Sequence, residues 1–189
     1  MRMLAGLVLI TLSFTVTAAE VAWVFQEGFD GRVADQRKQA ADTLLAQVTS
    51  VRKAIPEPAT EDREWIAGEL AYLKDNRDAG DYQVRFGNLY NSPRFQSVQL
   101  HDHLVAISRS LECAAAGGND AGNEMSCWNR AAYLLLDTLL MINALRLLAS
   151  REYIQPQQFH PAMDAVPVLF AANGRGIIDL VVGRYLEGR

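Results

Sequence analysis

The sequence holds two cysteines and three histidines in 189 residues, and it lacks the spacings by which such residues usually announce chemistry. There is no C-x-x-C, no H-E-x-x-H, no G-x-S-x-G elbow, no P-loop and no dinucleotide fingerprint. These absences set aside the common zinc-protease, α/β-hydrolase, nucleotide-binding and dithiol-redox readings. Lysine and arginine form no block, and acidic residues outnumber basic ones by 22 to 18. That balance argues against nucleic acid and against anionic membrane surfaces as partners. Strand-like alternation is scarce, and no internal repeat or low-complexity tract interrupts the chain. Disorder is excluded by composition, because half of the residues are hydrophobic.

What is present begins with an apolar leader. Arg2 supplies a positive start, Leu4 to Val16 is an apolar h-region, and Thr17-Ala18-Ala19 offers small residues before Glu20. This pattern reads as a signal peptide over residues 1–19, cleaved on export to the periplasm or out of the cell. The site carries no cysteine, so a lipoprotein is not indicated. Apolar residues continue through Val21 to Phe25. An uncleaved segment from Leu4 to Phe25 therefore has the length for a membrane anchor, about 20 residues. Cleavage takes 19 of the 189 residues and leaves 170, a single domain of ordinary size. Arg2 is the one charge removed, so 17 basic residues remain against 22 acidic, a balance of −5.

Helical periodicity organises the remainder. A first helix is expected from about Arg32 to Ile55, entered at Asp30, with Ala41, Leu44, Val48, Val51 and Ile55 on one stripe and Pro56 as its stop. Thr60 is the expected N-cap of a second helix striped by Ile66, Leu70 and Leu73, fading at Asp78-Ala79-Gly80. Residues 81–91 read as a short helix or an ordered loop. Ser92-Pro93 opens a third long helix to about Ala116. It has two apolar sides, Leu100, Leu104, Ile107 and Leu111 on one, and Phe95, Val98 and Val105 nearly opposite, so it should be sandwiched. The fourth helix, about 123–152, is apolar all round from Tyr133 to Ala149, the pattern of a central buried helix. Asp137, Asn143 and Arg146 make it a poor membrane span. Beyond it, His160-Pro161 can open a helix, Pro167 should kink or break it, and Asn173-Gly174 reads as a C-cap. Ile177 to Leu186 fits a closing helix or a strand, and helix is preferred for want of a partner strand. The expected fold is an all-α, single-domain bundle of four to six helices over residues 20–189.

Cys113 and Cys127 lie at the facing ends of the third and fourth helices, across a Gly-rich loop. In an exported chain such a pair is expected to form a disulfide that staples the hairpin. His101 and His103 flank Asp102, but residues two apart on a helix point to opposite sides and do not share an ion. Asp137, set in the most apolar helix, has to be paired, hydrogen-bonded or protonated there. Arg109, Arg130 or a histidine are its candidate partners, which makes Asp137, His101 and His103 a possible buried polar site. Tyr82, Phe86, Tyr90 and Phe95 are candidates for an aromatic docking surface.

The leading functional expectation is an exported, non-enzymatic protein that binds another protein, such as an inhibitor, a toxin-immunity protein or an accessory factor of an envelope or secretion machine. No cofactor, metal or nucleic acid is expected, and no membrane span once the leader is removed. One alternative is a periplasmic hydrolase or metal-binding protein using His101, His103, His160 and Asp137. Another is a carrier that holds a small apolar ligand along the fourth helix.

Overall fold

The computed structural model describes residues 24, 25, 27–117, 121–150 and 162–187. Among them are six α-helices and no strand: α1 (Ala34–Lys53), α2 (Thr60–Asp75), α3 (Tyr82–Tyr90), α4 (Pro93–Ala116), α5 (Ala121–Ser150) and α6 (Ala162–Glu187). The protein is all-helical, as the periodicity predicts, and residues 81–91 resolve to helix. No single described helix is long and apolar enough to cross a membrane.

Two helix starts differ from expectation by one to three residues. Val33, not Asp30, is the N-cap of α1, because Val33 is the residue that adopts the extended conformation. Asp30 instead closes the preceding turn, accepting the Arg32 backbone N–H at 2.9 Å and the Arg32 guanidinium at 3.0 Å. Thr60 is the first residue of α2, with Ala59 extended before it. Ser92 is the N-cap of α4 and Pro93 occupies the first turn, where a missing N–H does no harm. At its other end α4 stops on Gly117, whose φ of 52° is the left-handed cap that favours glycine.

Helix α4 organises the packing, with α1, α2, α3 and α5 all laid against it. Its Leu100, Leu104, Ile107 and Leu111 are completely buried in a main core shared with α1, α5 and α6. Its Phe95 and Val98 join a separate, smaller core with Ile66, Leu73 and Leu89 of α2 and α3. The predicted sandwich is therefore real, although Val105 is only half-buried. The expectation for α5 needs correction. Trp128, Ala131, Leu135 and Ile142 are buried in the main core, while Tyr133, Leu136, Leu140 and Leu147 are exposed. The reason is positional: α5 packs on α4 and α6 at one side of the bundle, and no described element lies over its outer face.

The reading of Asn173-Gly174 as a C-cap also fails, because α6 continues beyond both residues to Glu187. Asn173 and the nearby Gly176 instead receive the chain that enters the domain. Asn173 Oδ1 accepts the Val24 backbone N–H at 2.8 Å. Phe25 is buried against Phe29 and Trp128, and a Cβ at Gly176 would collide with its ring. Glycine is thus required there for close approach and not for a turn. Pro167 sits inside the helix. The bend of 50° falls beyond it, between Asp164–Ala171 and Asn173–Gly183, where Asn173 Nδ2 turns back to the Leu169 carbonyl at 3.4 Å.

Two links close the end of the bundle where α1, α4 and α5 meet. Cys113 and Cys127 form a disulfide, with Cα atoms 5.9 Å apart. Nearby, Arg37 of α1 grips Glu124 of α5 through paired hydrogen bonds of 2.5 and 2.9 Å, and both side chains are buried. Arg37 also donates to the carbonyls of Gly31 at 2.9 Å and Arg32 at 3.0 Å. The Glu124 hydrogen bond raises the Arg37 guanidinium above its already high ordinary value.

A buried pair of this kind is asymmetric under mutation. Glu124→Leu alone strands the Arg37 charge and is expected to destabilise by about 3–5 kcal/mol. The double variant Arg37→Met/Glu124→Leu should recover most of that loss, read as the urea midpoint at constant slope. Removing both cysteines frees a loop with a sequence separation of 14 and should lower stability by roughly 3 kcal/mol. The check is a comparison of oxidised, reduced and Cys113→Ala/Cys127→Ala protein, in which the last two should agree.

Candidate functional site

Helix α3 is short, and its aromatic residues recur every four positions. Tyr82, Phe86 and Tyr90 therefore stand one above another on a single face. Their ring centroids are 6.1 Å and 4.4 Å apart in stacked pairs, and Tyr90 meets Phe95 of α4 at 4.8 Å. The four predicted docking residues form one continuous ladder. It is rooted in the smaller core, where Phe95 is buried and Tyr82 half-buried, and it emerges at Phe86 and Tyr90, which are 40% and 43% exposed.

Across from the ladder, Leu70, Leu73 and Lys74 of α2, with Arg77 in the turn that follows it, form a second wall. The two walls and Gln83 enclose an open groove of about 400 Å³. Apolar side chains and ring faces form its body, and two exposed cations stand on its α2 rim. Among the described residues neither Lys74 nor Arg77 has a carboxylate within ion-pair distance. The α2 wall is not visible in the sequence, where Leu70 simply belongs to a buried-looking stripe. Its 41% exposure follows from the way α3 folds back on α2.

The groove is held open by a polar clasp at the α2–α3 turn. The Tyr72 hydroxyl donates to Asp81 at 2.9 Å, and Arg85 donates to Asp81 at 3.0 Å and to Glu69 at 3.2 Å. The same guanidinium lies 4.0 Å over the Tyr72 ring. The Asp81 carboxyl is held below its ordinary range, first by the Tyr72 hydroxyl and then by Arg85. The Tyr72 hydroxyl is pushed up by the same contact. Helix α2 is tied to α4 by Arg63, which reaches both Asp102 oxygens at 2.7 and 2.9 Å. That pairing, with a lesser contribution from His101, lowers the Asp102 carboxyl.

The predicted polar cluster divides into two. His101 Nδ1 lies 3.3 Å from Asp102 and belongs to the Arg63 network. His103 faces α5, with Nδ1 3.0 Å from Thr138 Oγ1 and Nε2 3.6 Å from Asp137 Oδ2. The Thr138 hydroxyl gives its proton to the Leu134 carbonyl at 2.6 Å, so His103 Nδ1 carries the hydrogen that joins them. Asp137 lies beside His103 Nε2 with no hydrogen bond between them. It is not the buried carboxylate its sequence neighbours suggest, because its side chain is 47% exposed at the edge of the α4–α5 seam. His160 lies outside the described residues. Among the described residues no three His, Cys, Asp or Glu side chains converge as a metal site. Thr138 is fully buried with its proton committed, which makes it no nucleophile. Along α5, where an apolar ligand would lie, the core-facing positions are filled by Trp128, Leu135 and Ile142.

No family model, no curated protein and no solved structure matches this chain.

The lowered carboxyls set a pH expectation. A carboxylate whose folded pKa is depressed stabilises the fold fully above its unfolded value, near 4, and loses that contribution as pH falls through the folded value. Asp102 and Asp81 should therefore leave the α2–α3 unit unchanged from pH 7 to about 5 and loosen it below about 4. Near-ultraviolet circular dichroism, dominated in this unit by Trp65, Tyr72, Tyr82 and Tyr90, should fade in that window before far-ultraviolet helicity does. Asp102→Asn should shift the loss to higher pH.

Proposed function

We propose that this is an exported, non-enzymatic binding protein that takes another protein into the α2–α3 groove. The observation that carries this reading is the aromatic ladder: rings in contact in order, anchored in the smaller core at both ends by Tyr82 and Phe95 and open to water between them at Phe86 and Tyr90. Exposed aromatic side chains held rigid by their neighbours bind with little loss of rotamer freedom, and such residues dominate interface energetics. The uncompensated Lys74 and Arg77 on the rim, in a chain that is acidic overall, select the chemistry of the partner. The groove suits an acidic segment that brings one or two apolar or aromatic anchors and sets carboxylates against the rim.

Export is supported by the leader over residues 1–19 and by the disulfide, which persists in oxidising compartments. Cleavage before Glu20 would release the domain into the periplasm or the medium. Val24 and Phe25 support this placement, because they are built into the main core and are lost to any span that runs from Leu4 to Phe25. The hydrolase or metal reading retains only the His103–Asp137 contact, since His101 faces a different network.

A peptide series tests the proposal. Acidic peptides bearing a Trp or Phe anchor, matched neutral and basic peptides, and wild-type protein are compared by fluorescence anisotropy and amide chemical shifts. The acidic series should bind, weaken with salt, and shift α2 and α3 resonances. Phe86→Ala/Tyr90→Ala should weaken binding by about 30-fold or more, and Lys74→Glu/Arg77→Glu should reverse the charge preference. If peptides of every charge leave α2 and α3 unperturbed, the groove is not a protein-binding site.

A further inference from the structure

The outer face of α5 follows a different logic from the groove. Tyr133, Leu136, Leu140 and Leu147 are each between 43% and 67% exposed, and Ala144 is exposed among them. Their spacing is three, four, four and three residues, so the stripe reads the same in both directions about Leu140. None of the five is charged. Scattered exposed leucines need no explanation, but a contiguous stripe of them on one helix face does.

We propose that this face is a homodimer interface, in which a second copy of the chain packs its α5 antiparallel across a twofold axis at Leu140. A twofold interface must be self-complementary, each residue meeting its counterpart about the axis. Here Tyr133 meets Leu147 of the second copy, Leu136 meets Ala144, and Leu140 meets itself. The large Leu136 falls opposite the small Ala144, the alternation that lets two helices interdigitate. None of the paired positions is charged, and the nearest carboxylate, Asp137, stands at the edge of the contact with its side chain 47% exposed.

The available area suits that occupant. Helix α6 packs on α5 and exposes its own stripe of Ile178, Val182 and Leu186. Together the two stripes offer on the order of 500 Å² of apolar surface. A stable interface takes about 800 Å² from each partner, and in homodimers about two-thirds of it is apolar. The acidic balance of the chain argues against an anionic lipid surface as the occupant.

The dimer is tested on the full chain, expressed and recovered with its disulfide intact, by light scattering coupled to size exclusion and by sedimentation. The wild type should run at twice the chain mass in the micromolar range. Leu140→Asp should raise the dimer dissociation constant by at least about 30-fold with unchanged far-ultraviolet helicity, because Leu140 faces solvent. Leu140→Cys should form a single inter-chain disulfide on mild oxidation, whereas Val84→Cys, on the exposed side of α3, should not. A one-chain mass at high micromolar concentration overturns the proposal. So does a dimer that survives Leu140→Asp, or one abolished by Phe86→Ala, which would place the contact at the groove. Release of the face only when the leader is absent, or its burial only when vesicles are added, would assign it to those occupants instead.

Discussion

Helix α4 carries apolar side chains on two faces, and neither can be left in water. Leu100, Leu104, Ile107 and Leu111 call for the α1–α5–α6 layer on one side, and Phe95 and Val98 call for α2 and α3 on the other. Burial of each such side chain is worth roughly 1.5–3 kcal/mol, so satisfying one face alone would leave the other as a large exposed patch. The two cores of the protein follow from this double demand on a single rod. The α2–α3 unit is correspondingly small and depends on α4 for its floor, which is why ion pairs at Arg63 and Arg94 supplement its packing.

The main core is closed by polar and covalent links at one end and by the entering chain along α6. The disulfide ties α4 to α5, and Arg37 ties α1 to α5 through a carboxylate that has no other solvent. The opposite strategy holds at the entry point, where small residues make room. Gly176 yields its side chain to Phe25, and Asn173 offers an oxygen to Val24. Val24 and Phe25, at the end of the apolar run in the sequence, are thus claimed by the fold, a use that hydropathy alone does not distinguish from membrane.

Rigidity and exposure meet at the ladder of Tyr82, Phe86 and Tyr90. Each ring is buttressed by the next, and the last is buttressed by Phe95 in the smaller core. The clasp around Arg85 fixes the turn that sets α2 and α3 apart as the two walls of the groove. By contrast, His103 and Asp137 sit at a helix seam, with no third ligand and no available nucleophile among the described residues.

The division between what was legible and what was not follows interaction range. Helix class, the α4 sandwich, the Cys113–Cys127 staple and the aromatic spacing on α3 are all local facts. Each rests on periodicity within one helix or on two helix ends joined by a short loop, so sequence alone determined them. Tertiary packing decided the rest. Leu70, Lys74 and Arg77 became a groove wall only because α3 folds back on α2. Asp137 turned outward, and Leu136 and Leu140 stayed exposed, because α5 lies at one side of the bundle instead of its centre. An apolar helix records that its side chains prefer burial; it does not record which neighbours arrive to bury them. Asn173 and Gly176 make the same point from the other direction. The Asn173-Gly174 dipeptide reads as a helix end, and only the distant Val24 and Phe25 turn Asn173 and Gly176 into a socket within one helix.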